Sequence, residues 1–224
     1  MKFTMWKAKL SILVLGSSTS ILALPQPQPP WLGKYIAHSF TLEDRNIFAP
    51  FSKLELGDLI SNEGYTAEVK WVHKFRGIQR NDLVAKVFRP HTTVTADYVC
   101  DEIEALKQIG EFHAAGIYDG SMVIIMDKKP GGILQNTKQY EQAAPSDQSR
   151  LRSEAEKKYC EKVAKIAIDK KAYHVDNNSG NYLVQFDEMT DTIRSVEVVD
   201  WGLARIVNEP VPKEEEVYQY CMDQ

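Results

Sequence analysis

Between residues 147 and 170 the chain carries one long helical stripe: Leu151, Ala155, Tyr159, Val163, Ile166 and Ala167, at spacings of 4, 4, 4, 3 and 1. The opposite side is charged, with Glu154, Glu156, Lys157, Lys158, Glu161, Lys162 and Lys165. Ser146 is placed to cap this helix at its start. A single apolar stripe must be buried against another element. The segments flanking it carry the period of strands, so the chain is confined to an α+β arrangement in which sheet and helix cover one another.

Strand signals begin near Asp58. Tyr65 to Phe75 alternates loosely, with Ala67, Val69, Trp71 and His73 on one side, and a turn at 77–82 leads into the apolar run Leu83-Val-Ala-Lys-Val-Phe88. This predicts an antiparallel hairpin. Thr95 to Ile109 has the spacing of a helix, and Gly110 is placed to end it. Ala115–Tyr118 and Met122–Met126 read as strands around Asp119-Gly120, before Pro130-Gly131-Gly132 interrupts the chain. After the long helix come a polar loop, 171–181, and a second hairpin made of Tyr182–Phe186 and Ile193–Val199. Residues 31–56 are mixed, and their aromatic residues offer a surface that could dock. Residues 203–224 read as a solvated acidic run, Pro210 to Glu216, with a short tail.

The N-terminus changes what composition means. Lys2, Lys7 and Lys9 precede the apolar run 10–24, and Pro25-Gln-Pro-Gln-Pro-Pro30 follows. A basic start, a short apolar run and a polar break predict a secretory signal peptide, 1–23, cleaved after Ala23. An uncleaved anchor and a buried helix are the alternatives. Gly16 and the Ser/Thr residues in that run argue against a stable membrane span. Residues 25–30 would be a polyproline spacer. Without 1–23 the chain has 201 residues, with 24 basic against 31 acidic side chains and a net charge of −7. That charge argues against nucleic acid as a partner. An extracellular address permits one disulfide among Cys100, Cys160 and Cys221, and the spacing leaves the pairing open.

The polar loop reads Tyr173-His174-Val175-Asp176-Asn177-Asn178-Ser179-Gly180-Asn181, and the second hairpin ends at Asp200-Trp201-Gly202. The two ends of a hairpin return to the same place, so the oxygens of Asn181 and Asp200 can meet one hard cation. Asp176 shares their loop and can take the proton of an attacking hydroxyl.

These residues carry a resemblance. His174-x-Asp176-x-x-x-x-Asn181 resembles the catalytic loop of protein kinases, and Asp200-Trp201-Gly202 resembles their metal-binding Asp-Phe-Gly motif with Trp for Phe. Val84-Ala85-Lys86-Val87 is similar to the kinase lysine strand. Glu102, four residues before Leu106, matches the helix glutamate that pairs with that lysine, with Glu104 as its competitor. Asn62-Glu63-Gly64-Tyr65-Thr66-Ala67-Glu68-Val69 resembles the glycine-rich loop, keeping its central glycine, Gly64, and the valine that covers the adenine, Val69. Val123 to Gly132 looks like a kinase hinge. Met126 would stand behind the adenine, and Asp127 and Lys128 would offer backbone hydrogen bonds to the base.

The resemblance implies a kinase-like two-lobe fold with a truncated C-terminal lobe: an N-terminal extension at 24–56, an N-lobe at 57–126 and a C-lobe at 127–224. It implies ATP and Mg²⁺ as cofactors, Asp176 and His174 as catalytic residues and Asn181 and Asp200 as metal ligands. Lys86 and Glu102 would anchor the phosphates, and a hydroxyl of a protein or small molecule would be the acceptor. Val175 replaces the kinase Arg that reads a phosphorylated activation loop. Gly180 before Asn181 resembles small-molecule phosphotransferases of the aminoglycoside/choline type. Only 22 residues follow Gly202, with no Ala-Pro-Glu, so the long helix is expected to underpin the second half alone. Asn177-Asn178-Ser179 is an N-glycosylation sequon, occupied or unused. Two functions follow: a secreted phosphotransferase, or a secreted pseudokinase that binds a partner without chemistry.

Overall fold

A computed structural model of the chain describes residues 27–36, 48–62, 64, 66–90 and 95–224. Residues 1–23, expected to be a signal peptide, Pro25 and Gln26 of the proline-rich stretch, and Glu63 and Tyr65 of the glycine-containing loop lie outside the described residues. In chain order come β1 (Leu32–Tyr35), β2 (Leu54–Ser61), β3 (Ala67–Phe75), β4 (Ile78–Gln79), β5 (Leu83–Phe88) and α1 (Ala96–Ile109). They are followed by β6 (Phe112–Tyr118), β7 (Ser121–Asp127), β8 (Gly132–Ile133), α2 (Lys138–Glu141), α3 (Pro145–Lys170) and β9 (Ala172–Tyr173). The last elements are β10 (Tyr182–Phe186), β11 (Ile193–Val198), β12 (Arg205–Val207) and α4 (Glu214–Met222). The class is α+β, as the alternation of periods predicts.

The first half is an antiparallel sheet in the order β2-β3-β5-β7-β6, with β4 paired to β3. Period-2 alternation sorts its side chains. Leu83 and Ala85 of β5, with Val123 and Ile125 of β7, join a cluster with Leu54, Val72 and Phe75 on one face. Phe88 of β5 and Ile124 of β7 join the larger core on the face toward α1. Lys86 shares the alternation of Val84 and Phe88, and this puts an ammonium on the helix side of the sheet. α1 is capped as its sequence dictates. The Thr95 hydroxyl accepts from the Tyr98 N–H at 3.3 Å, and Gly110 ends the helix at φ 86°, donating to the carbonyls of Leu106 and Lys107.

The second half is built on α3. Leu151, Ala155, Tyr159, Val163 and Ala167 of the expected stripe are buried, joined by Cys160 and Ala164, while Ile166 is half-buried. The start differs from expectation. Ala144 is the N-cap and makes no side-chain cap bond, Pro145 opens the first turn, and Ser146 lies inside the helix. Proline's fixed φ and missing N–H suit that first position, where a donor would be unsatisfied anyway. Two small sheets pack here, β11-β10-β8 and β1-β12-β9. Gly131 (φ 107°) lets the chain reach β10. A Cβ there would stand 2.6 Å from the Val184 carbonyl oxygen.

Two expectations about the chain's ends are corrected. Residues 203–224 are not merely a solvated tail. β12 pairs with β1 and β9, and α4 packs on α3 with Val217 and Cys221 buried. Within the acidic run Pro210 and Lys213–Glu216 are exposed, as expected, while Pro212 is buried. The long helix therefore does not support this half alone. The 31–56 segment also divides. β1 serves the second half, where Trp31 meets Tyr173 and Tyr220 edge-on at 5.5 and 5.4 Å, while β2 edges the first sheet. Residues 27–30 are held as well: Leu32 N–H donates to the Pro29 carbonyl, and Arg205 donates to the Gln28 side chain. Cys160 and Cys221 form the disulfide, joining α3 to α4, and Cys100 is buried in α1 outside that bond. Among the described residues no helix is long and apolar enough to cross a membrane.

Candidate functional site

Three elements bring three charges to one point. The ammonium of Lys86 donates to both carboxylate oxygens of Glu102, at 2.7 and 2.8 Å, and to Oδ1 of Asp200 at 2.8 Å. Lys86 comes from β5, Glu102 from α1 and Asp200 from the end of β11. Glu102 is the charged residue among the seven buried positions of α1, whereas Glu104 points outward and pairs with Lys107 at 2.6 Å. Helical spacing decides this: Glu102 shares a face with Val99, Ile103, Leu106 and Ile109. The lysine side chain is 8% exposed and the glutamate side chain 1%, so each needs the other. Burial opposes the lysine's charge, but the carboxylates of Glu102 and Asp200 outweigh it and hold the ammonium well above the usual lysine range. Burial pushes the Glu102 carboxyl up, against the pull of Lys86.

Asp200 is the open member, its side chain 45% exposed. Burial of its inner part opposes ionisation, yet Lys86 holds its carboxyl below the ordinary value of 3.8. A carboxyl lowered in the folded state stabilises the fold above its unfolded pKa and loses that contribution as pH falls through the folded value. The stability gap between wild type and Asp200→Asn is therefore expected to be constant from neutral pH down to about pH 5. It should close on further acidification. Urea unfolding at a series of pH values measures this, and a gap that widens on acidification would contradict the Lys86–Asp200 pairing.

The backbone at Asp200 is left-handed, φ 60° and ψ 72°, a conformation Asp tolerates better than most residues. His174 braces it. Its Nε2 lies 2.8 Å from the Asp200 carbonyl oxygen and 3.1 Å from that of Val199, so this nitrogen carries a hydrogen and donates. The ring is 2% exposed and stands edge-on to Trp201 at 5.0 Å. Burial lowers its pKa below the usual histidine value, against the pull of the Asp200 carbonyl. So placed, both ring nitrogens of His174 face the protein, Nε2 two backbone carbonyls and Nδ1 the Tyr159 hydroxyl.

The second hairpin closes as its sequence suggests. Tyr182 pairs with Val198, and Val199 N–H donates to the Asn181 carbonyl at 2.9 Å, so Asn181 and Asp200 stand at the same end. Asp176 is half-buried on the loop beside them. Its carbonyl accepts from the Asn181 side-chain Nδ2 at 3.3 Å, which leaves the amide oxygen of Asn181 as that side chain's acceptor. Asn178 caps the short turn 179–181 by accepting from Gly180 N–H, and Gln135 donates to Ser179. Among the described residues no three His, Cys, Asp or Glu side chains gather to hold a metal by themselves. A carboxylate and an amide oxygen are instead the hard, incomplete donor set that suits Mg²⁺ shared with phosphate oxygens and water.

The remaining sequence-predicted residues fall around this point unevenly. Val69 of β3 lies directly across from Lys86 in the sheet register. Gly64 is exposed in the β2–β3 connection, which Arg89 spans by donating to the carbonyls of Asn62 and Thr66. Met126, one residue before the end of β7, is half-buried opposite Val84. Of the backbone groups expected to meet a base, the Asp127 N–H donates to the Glu111 carbonyl and the Lys128 N–H to the Asp82 carbonyl. The accepting residues stand just before β6 and β5. The Lys128 side chain lies over the Trp71 ring at 4.1 Å.

Tyr159 went unnoticed as a site residue because it sits in the apolar stripe of α3. Its hydroxyl is 2.8 Å from Nδ1 of His174. A tyrosine in a stripe of Ala and Val is itself the signal, since a buried phenol needs a hydrogen-bond partner.

No protein-family model matches the sequence, and no curated protein matches it. Among solved structures the chain is similar to the crystal structure of Rad53 1–466 in complex with AMP-PNP, a protein kinase, over 67% of this chain at 18% identity and a TM-score of 0.47. The chain spans 39% of the length of that one.

Proposed function

We propose that this chain is a kinase-like phosphotransferase that binds ATP with Mg²⁺ and passes the γ-phosphoryl group to a hydroxyl of a protein or small molecule. The observation that carries it is the bridge from Lys86 to both Glu102 and Asp200. The ammonium is held by a buried carboxylate of the fold and by a second carboxylate that solvent reaches. Phosphate oxygens can take the place of the second while Glu102 keeps the ammonium in place. Asn181 and Asp200 would hold Mg²⁺, whose charge offsets that of the phosphates. Asp176 accepts the acceptor's hydroxyl proton as its oxygen bonds to phosphorus and the bond to ADP breaks. We further propose a secretory route, supported by the basic–apolar N-terminus and by a buried disulfide that persists in an oxidising compartment.

A second reading, a secreted pseudokinase module, is favoured by the committed N–H groups of Asp127 and Lys128 and by a Lys86 already satisfied by two carboxylates. One titration separates the two. ATP with Mg²⁺ at a hundredfold excess over Kd adds about 2.7 kcal/mol, roughly 5–10 °C in melting temperature for a chain of this size. Asp200→Ala is expected to lose the shift. Asp176→Asn should keep it and lose phosphoryl transfer. Binding without turnover in wild type supports the module, and no shift in wild type sinks both nucleotide readings.

A further inference from the structure

We infer that Tyr159 is a positioning residue for this site, acting through His174 on the backbone of Asp200; the inference rests on the nucleotide-site reading above for its functional consequence. Tyr159 is wholly buried. Its hydroxyl lies 2.8 Å from Nδ1 of His174 and 3.4 Å from the carbonyl oxygen of Asp176. The other ring nitrogen, Nε2, faces the carbonyls of Asp200 and Val199, which only accept, so the ring hydrogen belongs there. Nδ1 is then the acceptor, and the phenol is the donor that satisfies it. The ring's hydrogen-bond partners are a phenol and two backbone carbonyls, with no carboxylate among them.

This fixes the imidazole in one orientation. A half-turn of the ring would bring carbon atoms to the phenol and to both carbonyls, losing every bond it makes. Tyr159 and Trp201 meet the ring edge-on, at 6.0 and 5.0 Å. Tyr159 is in turn packed on Tyr182 at 5.1 Å, at the start of the second hairpin. The left-handed residue that presents its carboxylate to Lys86 is therefore held from behind by α3. The same hydroxyl also reaches the backbone of Asp176, so one phenol spans both sides of the site. Tyr159→Phe keeps the packing and removes only the donor, leaving a buried ring nitrogen unpaired.

The test has two arms. In ligand-free wild type, nitrogen NMR of His174 at neutral pH should show the hydrogen on Nε2. In Tyr159→Phe the Nδ1 resonance should shift, with changes at the amides of residues 199–202. The second arm measures ATP·Mg²⁺ affinity. Tyr159→Phe is expected to weaken it about tenfold, in line with about 1.4 kcal/mol, with unchanged far-ultraviolet circular dichroism. His174→Ala and the double variant should then be equally weak, because the two residues act as one unit. A hydrogen on Nδ1 in wild type overturns the inference, and so does an affinity within twofold of wild type in Tyr159→Phe. Should wild type bind no nucleotide, the phosphotransferase reading fails, and the ligand-free spectra still decide whether Tyr159 sets the ring.

Discussion

Replacing Cys160 and Cys221 together by alanine is expected to lower the unfolding free energy by about 4 kcal/mol and the melting temperature by roughly 10 °C. The bond joins residues 61 apart, so in the unfolded chain it closes a long loop, and its removal frees that loop. The native state loses as well. α4 has nine residues, too few to be stable alone. The disulfide and buried Val217 tie it to the core, and Tyr220 adds aromatic contacts with Trp31 and Tyr173 of the neighbouring sheet. Both sulfurs are buried, so alanine removes the cross-link without leaving a buried hydroxyl. Thermal melts of the oxidised protein and the double variant measure the effect, and reduction of wild type under denaturing conditions should reproduce it. Equal melting temperatures for the two would show that α4 is held by packing alone.

Glu102→Ala should cost about 3–5 kcal/mol, since it strands a buried ammonium. Lys86 loses two of its three hydrogen bonds and keeps the one to Asp200, which is the more exposed partner. The physical cause is the unpaired charge and not the missing carboxyl volume. The double variant Lys86→Met, Glu102→Leu is accordingly expected to recover most of the lost stability, because apolar side chains of similar size can replace a buried pair at little cost. Neither variant should bind ATP. Urea unfolding of wild type, Glu102→Ala and the double variant measures both effects. A loss under about 1 kcal/mol for Glu102→Ala would place the pair at the surface.

These two sites mark how far the sequence could be read. Lys86 was legible because a lysine inside Leu83–Phe88 contradicts its apolar surroundings, and Glu102 because it stands four residues before Leu106, as in the kinase pattern. Asn181 and Asp200 were legible because a hairpin returns its ends to one place. Each of these is a local pattern with a local rule. The cap of α3 was misassigned because Ser146 has the right chemistry and Pro145 the stronger backbone constraint. That the protein takes the N–H groups of Asp127 and Lys128 is not legible locally, because it depends on which residues the fold lays beside them.

Alternation and spacing in the sequence alone thus determined the α+β class, while the choice of Glu102 over Glu104 came from the resemblance to the kinase helix glutamate. Tertiary structure alone decided that Cys221 meets Cys160, that β1 joins β12 across the chain, and that Tyr159 serves His174. The reason is distance along the chain. Short-range backbone geometry repeats with a fixed period and can be read, whereas contacts between residues separated by 61 positions, or by more than 170, exist only once the core has closed around them. His174 shows both levels together: a motif marks it, and only its burial between a phenol and two carbonyls tells what it does.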